Sequence, residues 1–214
     1  MMPSPSHGAL LPVALSILLT LPAPQPVRSM GVRSRHDVLE KIKTALLDPA
    51  GHELRIRWDY TLGGETWSGN GVLQVLGEEL LKLTFPGQKI LVKGSTIMSW
   101  YRETDQVIID SFDRRDPTNV FSLLLSGFDH FDHVEATGLS DTTAAVVLKG
   151  RDLWAFGDIT LVVDSRTWML RSIDVAGGDG LEVSIEITRF APLSDPQTLK
   201  ADTLTGSDTV DLRW

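Results

Sequence analysis

Five short apolar segments between residues 71 and 112 constrain the fold more than any other feature of the sequence. Only two or three residues separate each segment from the next. Parallel neighbours need a crossover connection of about a dozen residues or more, whereas turns of this length join antiparallel neighbours. The sequence therefore predicts an antiparallel meander with strands at residues 71–76, 79–85, 89–92, 96–102 and 106–112.

One face of this meander is apolar, because its large side chains recur with the period of two that a strand requires. These side chains are Leu73, Val75, Leu81, Leu83, Phe85, Ile90 and Val92. Such a face has to be covered. From composition alone, the simpler interpretation is a fully packed core with no ligand.

The meander also contains a characteristic order of segments, which are Gly71-Val-Leu-Gln-Val, Leu80-Leu-Lys-Leu-Thr-Phe, Lys89-Ile-Leu-Val-Lys-Gly-Ser-Thr, Trp100 and Asp105-Gln-Val-Ile. This order resembles the LolA family of carriers for outer-membrane lipoproteins. That family has a Gly-led strand, a strand that ends in aromatic residues, an Asp-Gly-x-Thr turn, Trp-x-Tyr and then Gln-Val. In this chain Lys93 replaces the Asp of the turn, Met98 stands in the Trp slot and Trp100 stands in the Tyr slot.

The resemblance implies a mainly β, α+β fold: a strongly curved antiparallel sheet that forms an open half-barrel, with helices as a lid over a cavity for acyl chains. The residues expected to line this cavity are Trp58, Leu73, Val75, Leu81, Leu83, Phe85, Ile90, Val92, Met98 and Trp100. In the family, an Arg in the turn before the third strand helps to hold the lid. Gly77 occupies that slot here and is followed by Glu78.

Two helices are predicted. Residues 34–47 have an apolar stripe with helical spacing, Ser34 as the N-cap and a stop at Asp48-Pro49. A shorter helix is expected to begin with Asp116 as the N-cap and Pro117 in the first turn, and to run to residue 125. The lid residues on its apolar stripe are Phe121, Leu124 and Leu125.

The remaining strands bring the total to about eleven. Residues 53–62 alternate strictly between apolar and polar, and Gly69 and Gly71 indicate a bulge or bend in residues 66–76. The later strands are expected at residues 130–137, 142–149, 157–163, 168–176 and 181–190. One domain is expected over residues 30–190, followed by a C-terminal tail, residues 191–214, that is loosely attached except at residues 210–214.

Composition excludes several classes of function. A formal net charge of −8 argues against a nucleic-acid partner, and the absence of cysteine excludes disulfides, thiolate catalysis and cysteine-bound metals. There is no Gly-x-Ser-x-Gly nucleophile motif. In a strand, His130 and His133 would point to opposite faces, so no metal site is expected. We therefore expect no catalytic residues, no cofactor and a non-enzymatic function.

The N-terminal residues 1–29 resemble a signal peptide. Residues 9–21 are uncharged and apolar, a length that suits a signal sequence and is shorter than the ~20 residues of a membrane span. Cleavage before Met30 would give a soluble periplasmic protein. The alternatives are an uncleaved membrane anchor or an incorrectly assigned start codon.

Together with the resemblance, these features suggest a periplasmic carrier that binds the acyl chains of lipoproteins, or another lipid, and passes them towards the outer membrane. The expected partners are an inner-membrane release complex and an outer-membrane acceptor, and the carrier is expected to be a monomer. Two alternatives remain: a lipid-sensing or interaction module of the same fold, and an envelope hydrolase.

Overall fold

The computed structural model describes residues 35–116, 119–126, 128, 131, 133–138, 140–149, 157–177 and 180–213. Within these ranges the chain forms twelve strands, all in one sheet, and three helices. In chain order they are α1 (Arg35–Leu46), β1 (His52–Leu62), β2 (Glu65–Leu76), β3 (Leu80–Thr84), β4 (Gln88–Lys93), β5 (Thr96–Tyr101), β6 (Gln106–Ser111), α2 (Val120–Leu125), β7 (His133–Gly138), β8 (Thr143–Lys149), β9 (Asp158–Asp164), β10 (Leu170–Ala176), β11 (Glu182–Pro192), α3 (Pro196–Ala201) and β12 (Asp208–Asp211).

Several predicted features lie outside the described residues. They are the signal peptide of residues 1–29, the helix N-cap Ser34, the first-turn residue Pro117, and His130. None of the helices in the described ranges is long and apolar enough to cross a membrane.

The sheet consists of two antiparallel meanders joined along one seam. Its strand order is β12-β6-β5-β4-β3-β2-β1-β11-β10-β9-β8-β7. Strands β1 to β6 form the first meander and β7 to β11 the second, while β1 and β11 pair along nearly their whole length. The edge strands β12 and β7 do not pair with each other. The predicted open, curved antiparallel sheet is confirmed, including the meander of residues 71–112.

The two predicted helices are present, but the second starts later than expected. Helix α2 begins at Val120, because the side chain of Asn119 accepts a 2.9 Å hydrogen bond from the backbone N–H of Phe121. This satisfies one of the free N–H groups of the first turn. The prediction of Asp116 as the N-cap is therefore wrong.

The inner face of the sheet, which faces α1 and α2, carries the main hydrophobic core. Buried residues of α1, such as Val38 and Ile42, join buried residues of both meanders in this core, including Leu81 and Leu161. The core contains residues from both sides of the β1–β11 seam. It therefore holds the two meanders together.

A second, smaller core lies on the outer face, and the C-terminal tail covers it. Leu199 of α3 is buried against residues of the first meander that point outwards, and the members of this outer core are Leu76, Leu80, Leu91, Leu193 and Leu199. Strand β12 then pairs with β6 in parallel. The prediction that residues 191–209 are loosely attached is wrong, and the tail explains why the structure has one more strand and one more helix than expected.

Polar contacts fix this tail to the sheet. Lys82 forms an ion pair with Asp202, and the ammonium group of Lys93 donates a 2.6 Å hydrogen bond to the carbonyl oxygen of Lys200. The backbone N–H of Ser207 donates to Oδ2 of Asp105 at 2.9 Å. These contacts hold the tail at both of its elements.

Candidate ligand-binding cavity

A cavity of about 670 Å³ lies on the inner face, between the curved sheet and α2. Its lining is almost entirely apolar: Gln88 is the one lining residue that is neither aliphatic nor aromatic. The lining residues are Leu46, Leu54, Ile56, Trp58, Tyr60, Trp67, Leu73, Leu83, Phe85, Gln88, Ile90, Val120, Phe121, Leu123, Leu124, Phe128, Ile159, Leu170, Ile173, Val175, Val183, Ile185 and Ile187. Pockets of this size and lining bind small apolar molecules or groups.

The cavity is closed at one end and open at the other. Along β1, alternate side chains become steadily more exposed, from Leu54 at 1% to Leu62 at 42%, with Trp58 and Tyr60 half-buried between them. Leu46 of α1, which also lines the cavity, is fully buried. The open end, which we call the mouth, therefore lies beside the hairpin that joins β1 to β2.

Two glycines of β2 make room for the aromatic part of the lining. A Cβ atom on Gly69 would lie 2.8 Å from a ring carbon of Trp58, and one on Gly71 would lie 2.7 Å from the ring of Phe85. The two rings pack edge to face, with their centroids 5.6 Å apart. The register of β1 and β2 is unbroken here, so the predicted bulge is wrong. The glycines allow close packing of rings instead.

One polar atom in this lining has no partner. The indole Nε1 of Trp58 is buried and makes no hydrogen bond within the described part of the chain. A buried donor without a partner costs free energy. The N–H of Trp58 is therefore a group that a ligand oxygen could satisfy after a small movement of the ring.

Helix α2 lies over the cavity through Phe121, Leu123 and Leu124. Besides the Asn119 cap, it is held by the hydroxyl of Ser122, which donates a 2.8 Å hydrogen bond to the carbonyl oxygen of Asp113. The helix has only six residues. Helices this short depend on their tertiary contacts for stability.

Glu78, in the turn between β2 and β3, connects the segments that carry the two covering helices. It lies 3.8 Å from the ammonium group of Lys43 in α1 and 3.3 Å from the guanidinium of Arg114, which precedes α2. The neighbouring Gly77 has a φ of +59° and open space around it. Glu78, with two basic partners, thus directly follows Gly77, the position at which the LolA family has an Arg.

The structure brings together seven of the residues predicted for the cavity and lid. Trp58, Leu73, Leu83, Phe85, Ile90, Phe121 and Leu124 line the cavity. Four others are buried in the surrounding inner core without lining it: Val75, Leu81, Val92 and Leu125.

Met98 and Trp100 lie on the outer face, so their predicted position in the cavity wall is wrong. Met98 is paired with Leu91 and Trp100 with Lys89, whereas the inward-facing Ile90 is paired with Ser99. Met98 packs against the outer core. The indole N–H of Trp100 donates a 2.9 Å hydrogen bond to Oδ1 of Asp105. At the positions where the LolA family has Trp and Tyr, this chain therefore has residues that belong to the outer face of the sheet.

The sequence missed the part of the lining that lies across the seam. This part comes from β9, β10 and β11, and its members are Ile159, Leu170, Ile173, Val175, Val183, Ile185 and Ile187. The alternation of Val183, Ile185 and Ile187 does indicate a strand with one buried face. Only the pairing of β11 with β1 places these residues opposite the first meander.

Clusters of metal-binding side chains are not found in the described ranges. No group of three or more His, Cys, Asp or Glu residues there could hold a metal ion. The carboxyl pKa of Asp164 is held well below its usual range, first by the backbone N–H of Thr167 and then by Arg171. These contacts belong to the turn between β9 and β10 and need no catalytic explanation.

Comparisons with known proteins give a likeness in fold. No protein-family model matches the sequence, and the search of curated proteins gave no match. An uncharacterised conserved protein from Thermus thermophilus is similar over 84% of this chain and 99% of its own, with 10% identity and a TM-score of 0.58.

Two further solved structures carry family names. A LolA superfamily protein from Nitrosomonas europaea is 12% identical over 78% of this chain and 97% of its own, with a TM-score of 0.45. A lipoprotein-sorting protein domain from Vibrio parahaemolyticus is 7% identical over 76% and 95% of the two chains, with a TM-score of 0.41. At these identities a likeness concerns the fold alone. The open, curved sheet that the resemblance predicted is seen in the strand order of this chain itself.

Proposed function

We propose that this chain is a carrier that shelters the acyl chains of a lipoprotein, or of another lipid, in the cavity between its sheet and α2. The observation that supports this is the cavity itself, about 670 Å³ in volume, in which every lining residue except Gln88 is aliphatic or aromatic. An apolar cavity this large costs stability unless something fills it. A flexible hydrocarbon chain is the kind of ligand that fits such a lining.

The volume sets the size of the cargo. A cavity of about 150 Å³ accommodates benzene, with its six carbon atoms. By proportion, the 670 Å³ cavity holds roughly 25 carbon atoms. That is enough for one long acyl chain or two short ones. A larger cargo requires α2 to move.

Helix α2 acts as a plug in this proposal. Phe121, Leu123 and Leu124 occupy part of the apolar space when no ligand is present. Cargo displaces them, so the net affinity is the gain from burying the acyl chain minus the cost of removing the plug. Glu78, through Lys43 and Arg114, links the covering helices to the sheet and biases them towards the closed position.

A plug also makes transfer possible. Burying a chain of ~14 methylenes at ~0.8 kcal/mol each would give about 11 kcal/mol, which is too tight for rapid release. The displaced side chains offset part of this free energy. The proposed carrier therefore binds its cargo moderately and can hand it over.

The cellular setting follows from the predicted signal peptide and the sequence resemblance. We propose that the carrier works in the periplasm, takes its cargo from an inner-membrane release complex and delivers it to an outer-membrane acceptor. The predicted signal peptide at residues 1–29 supports export. The expected mature N-terminus near Met30 can be checked by mass spectrometry of the periplasmic protein.

Native mass spectrometry of protein purified from the periplasm tests the function directly. Bound lipid or lipoprotein supports the carrier. Hydrolysed lipid products that accumulate with turnover would point to a hydrolase instead. A protein that is purified without ligand and does not bind fluorescent acyl probes would contradict the proposal.

A matched pair of variants locates the site. Leu83→Glu places a carboxylate in the cavity, whereas Thr84→Glu places it on the opposite face, directly opposite Lys89. An unpaired carboxylate in an apolar site is costly. We expect folded Leu83→Glu, checked by circular dichroism, to lose probe binding and Thr84→Glu to keep it. If both variants bound the probe equally well, the cavity would not be the binding site.

A further inference from the structure

Exposed apolar side chains cluster around the mouth of the cavity. The described ranges contain six large hydrophobic residues with high exposure, and four of them surround the mouth: Leu62, Trp67, Tyr101 and Val120. Trp67 and Val120 also line the cavity, and Tyr101 is paired with the lining residue Gln88. We call these four residues the mouth rim.

The tip of the hairpin that carries half of the rim is exposed to solvent. Every residue from 62 to 68 is exposed. The turn residues Gly63 and Gly64 have φ of +60° and +87°, and a Cβ on either would meet nothing within 4 Å. Within the hairpin, the rings of Tyr60 and Trp67 pack with their centroids 5.6 Å apart. The hairpin is thus supported by this ring contact and by the pairing of β1 with β11 up to Thr61, and its tip has one apolar side open to solvent.

The composition of the rim favours a lipid surface as its partner. Tyr and Trp combine an apolar ring with a polar tip, and they concentrate where hydrocarbon meets water in membranes. A protein partner would need more, since a stable interface uses about 20–30 residues on each side. The rim has four residues. With a net charge of −8, the chain is suited to uncharged rather than anionic headgroups.

We propose that the mouth rim docks the protein on a lipid surface with zwitterionic headgroups, with Leu62 and Trp67 at the hairpin tip inserted into the interface. This orientation places the cavity opening against the lipid. An acyl chain then passes between the lipid surface and the cavity without crossing water. The transfer step rests on the proposed carrier function; the docking of the rim does not.

Flotation with phosphatidylcholine vesicles tests the docking. Leu62→Gln and Tyr101→Gln change rim residues that do not line the cavity, and Leu212→Gln is the matched control on an exposed apolar residue near β12. We expect wild type and Leu212→Gln to float with the vesicles. Each rim variant should lose on the order of ten-fold in its partition coefficient, because one apolar side chain that contacts the lipid surface is removed.

The outcomes separate the docking surface from the carrier function. Acyl-probe binding in detergent-free solution should be unchanged in both rim variants, so a failure of the probe assay in wild type would count against the carrier alone. Wild-type protein that stays unbound, or rim variants that float like the control, would overturn the docking. So would a wild-type dimer, seen by analytical ultracentrifugation, that Leu62→Gln dissociates, since the rim would then bind a second copy.

Discussion

The two faces of the first meander are both apolar, yet the chain covers them differently. The outer face is closed by the tail, which contributes Leu193 and Leu199 and leaves Leu91 fully buried. The inner face is covered by α1 and the short α2, and a cavity of about 670 Å³ remains. An apolar strand face does not by itself indicate a binding site. What matters is how much of that face the chain itself covers.

The largest expected difference comes from placing a charge on each face of β4. Leu91→Glu buries a carboxylate in the closed outer core and should cost about 3–5 kcal/mol, the usual penalty of an uncompensated buried charge. Ile90→Glu, one residue away, faces a cavity that water can enter and should cost less, but it should abolish acyl-probe binding. Urea unfolding and probe titration measure the two effects. An equal loss of stability in both variants would mean that the inner face is packed as closely as the outer face.

Truncating one covering residue on each face gives the next effect. Phe121→Ala and Leu199→Ala each remove a large side chain from a cover and should destabilise the empty protein by ~3 kcal/mol where packing is close. Phe121→Ala should also strengthen acyl binding, because less of the plug must be displaced. Leu199→Ala should leave binding unchanged. Weaker or unchanged binding in Phe121→Ala would rule out the plug.

The ion pairs that hold the two covers should have smaller effects. Asp202→Asn breaks the pair with Lys82 on the outer face, and Glu78→Gln weakens the link between α1 and the segment before α2. Partly exposed pairs of this kind contribute about 1 kcal/mol or less. We expect only Glu78→Gln to raise the rate of probe release, measured by stopped-flow fluorescence. A matching change in Asp202→Asn would mean that the tail also controls the cavity.

Acidification should loosen the outer cover first. Hydrogen bonds from Trp100 and Ser207 lower the pKa of Asp105 in the folded chain. Its contribution to stability is therefore complete above the unfolded value of about 3.9 and is lost as the pH falls through the lower folded value. Hydrogen exchange of the tail should rise below about pH 4 while probe binding persists. Asp105→Asn should reduce this pH dependence, while Asp195 and Asp211, whose pKa values are also lowered by hydrogen bonds within the tail, keep the rest of it. An unaltered profile in that variant would assign the dependence to those two groups.

The first meander was predictable from the sequence because its turns are too short for any other connection. The outer core could not be predicted in the same way. Leu80-Leu81 and Ile90-Leu91-Val92 are apolar on both faces of the strand, so they show no alternation that would indicate a second buried face. The tail looked loose because it is mostly polar, and Leu193 and Leu199 are its buried members of the outer core. Its attachment depends on contacts with β3 to β6, about a hundred residues away in sequence.

The part of the cavity lining that lies across the seam was equally out of reach. Leu73, Leu83 and Ile90 follow from strand periodicity within one meander. Val183 and Ile185 show the same periodicity, but nothing local indicates that β11 returns to pair with β1. Met98 and Trp100 were assigned to the cavity wall by resemblance alone. The register of β4 with β5 places both side chains on the outer face instead.

The seam between β1 and β11 has a consequence for how the protein is made. Within each meander, strands pair with their neighbours in sequence, whereas the seam brings His52 next to Pro192. Local pairings form quickly and distant ones slowly, so we expect the seam to close last during folding. The cavity walls stand on both sides of that seam. Until residues 182–192 have been synthesised, both walls are open apolar surfaces, and the nascent chain then has its greatest tendency to aggregate.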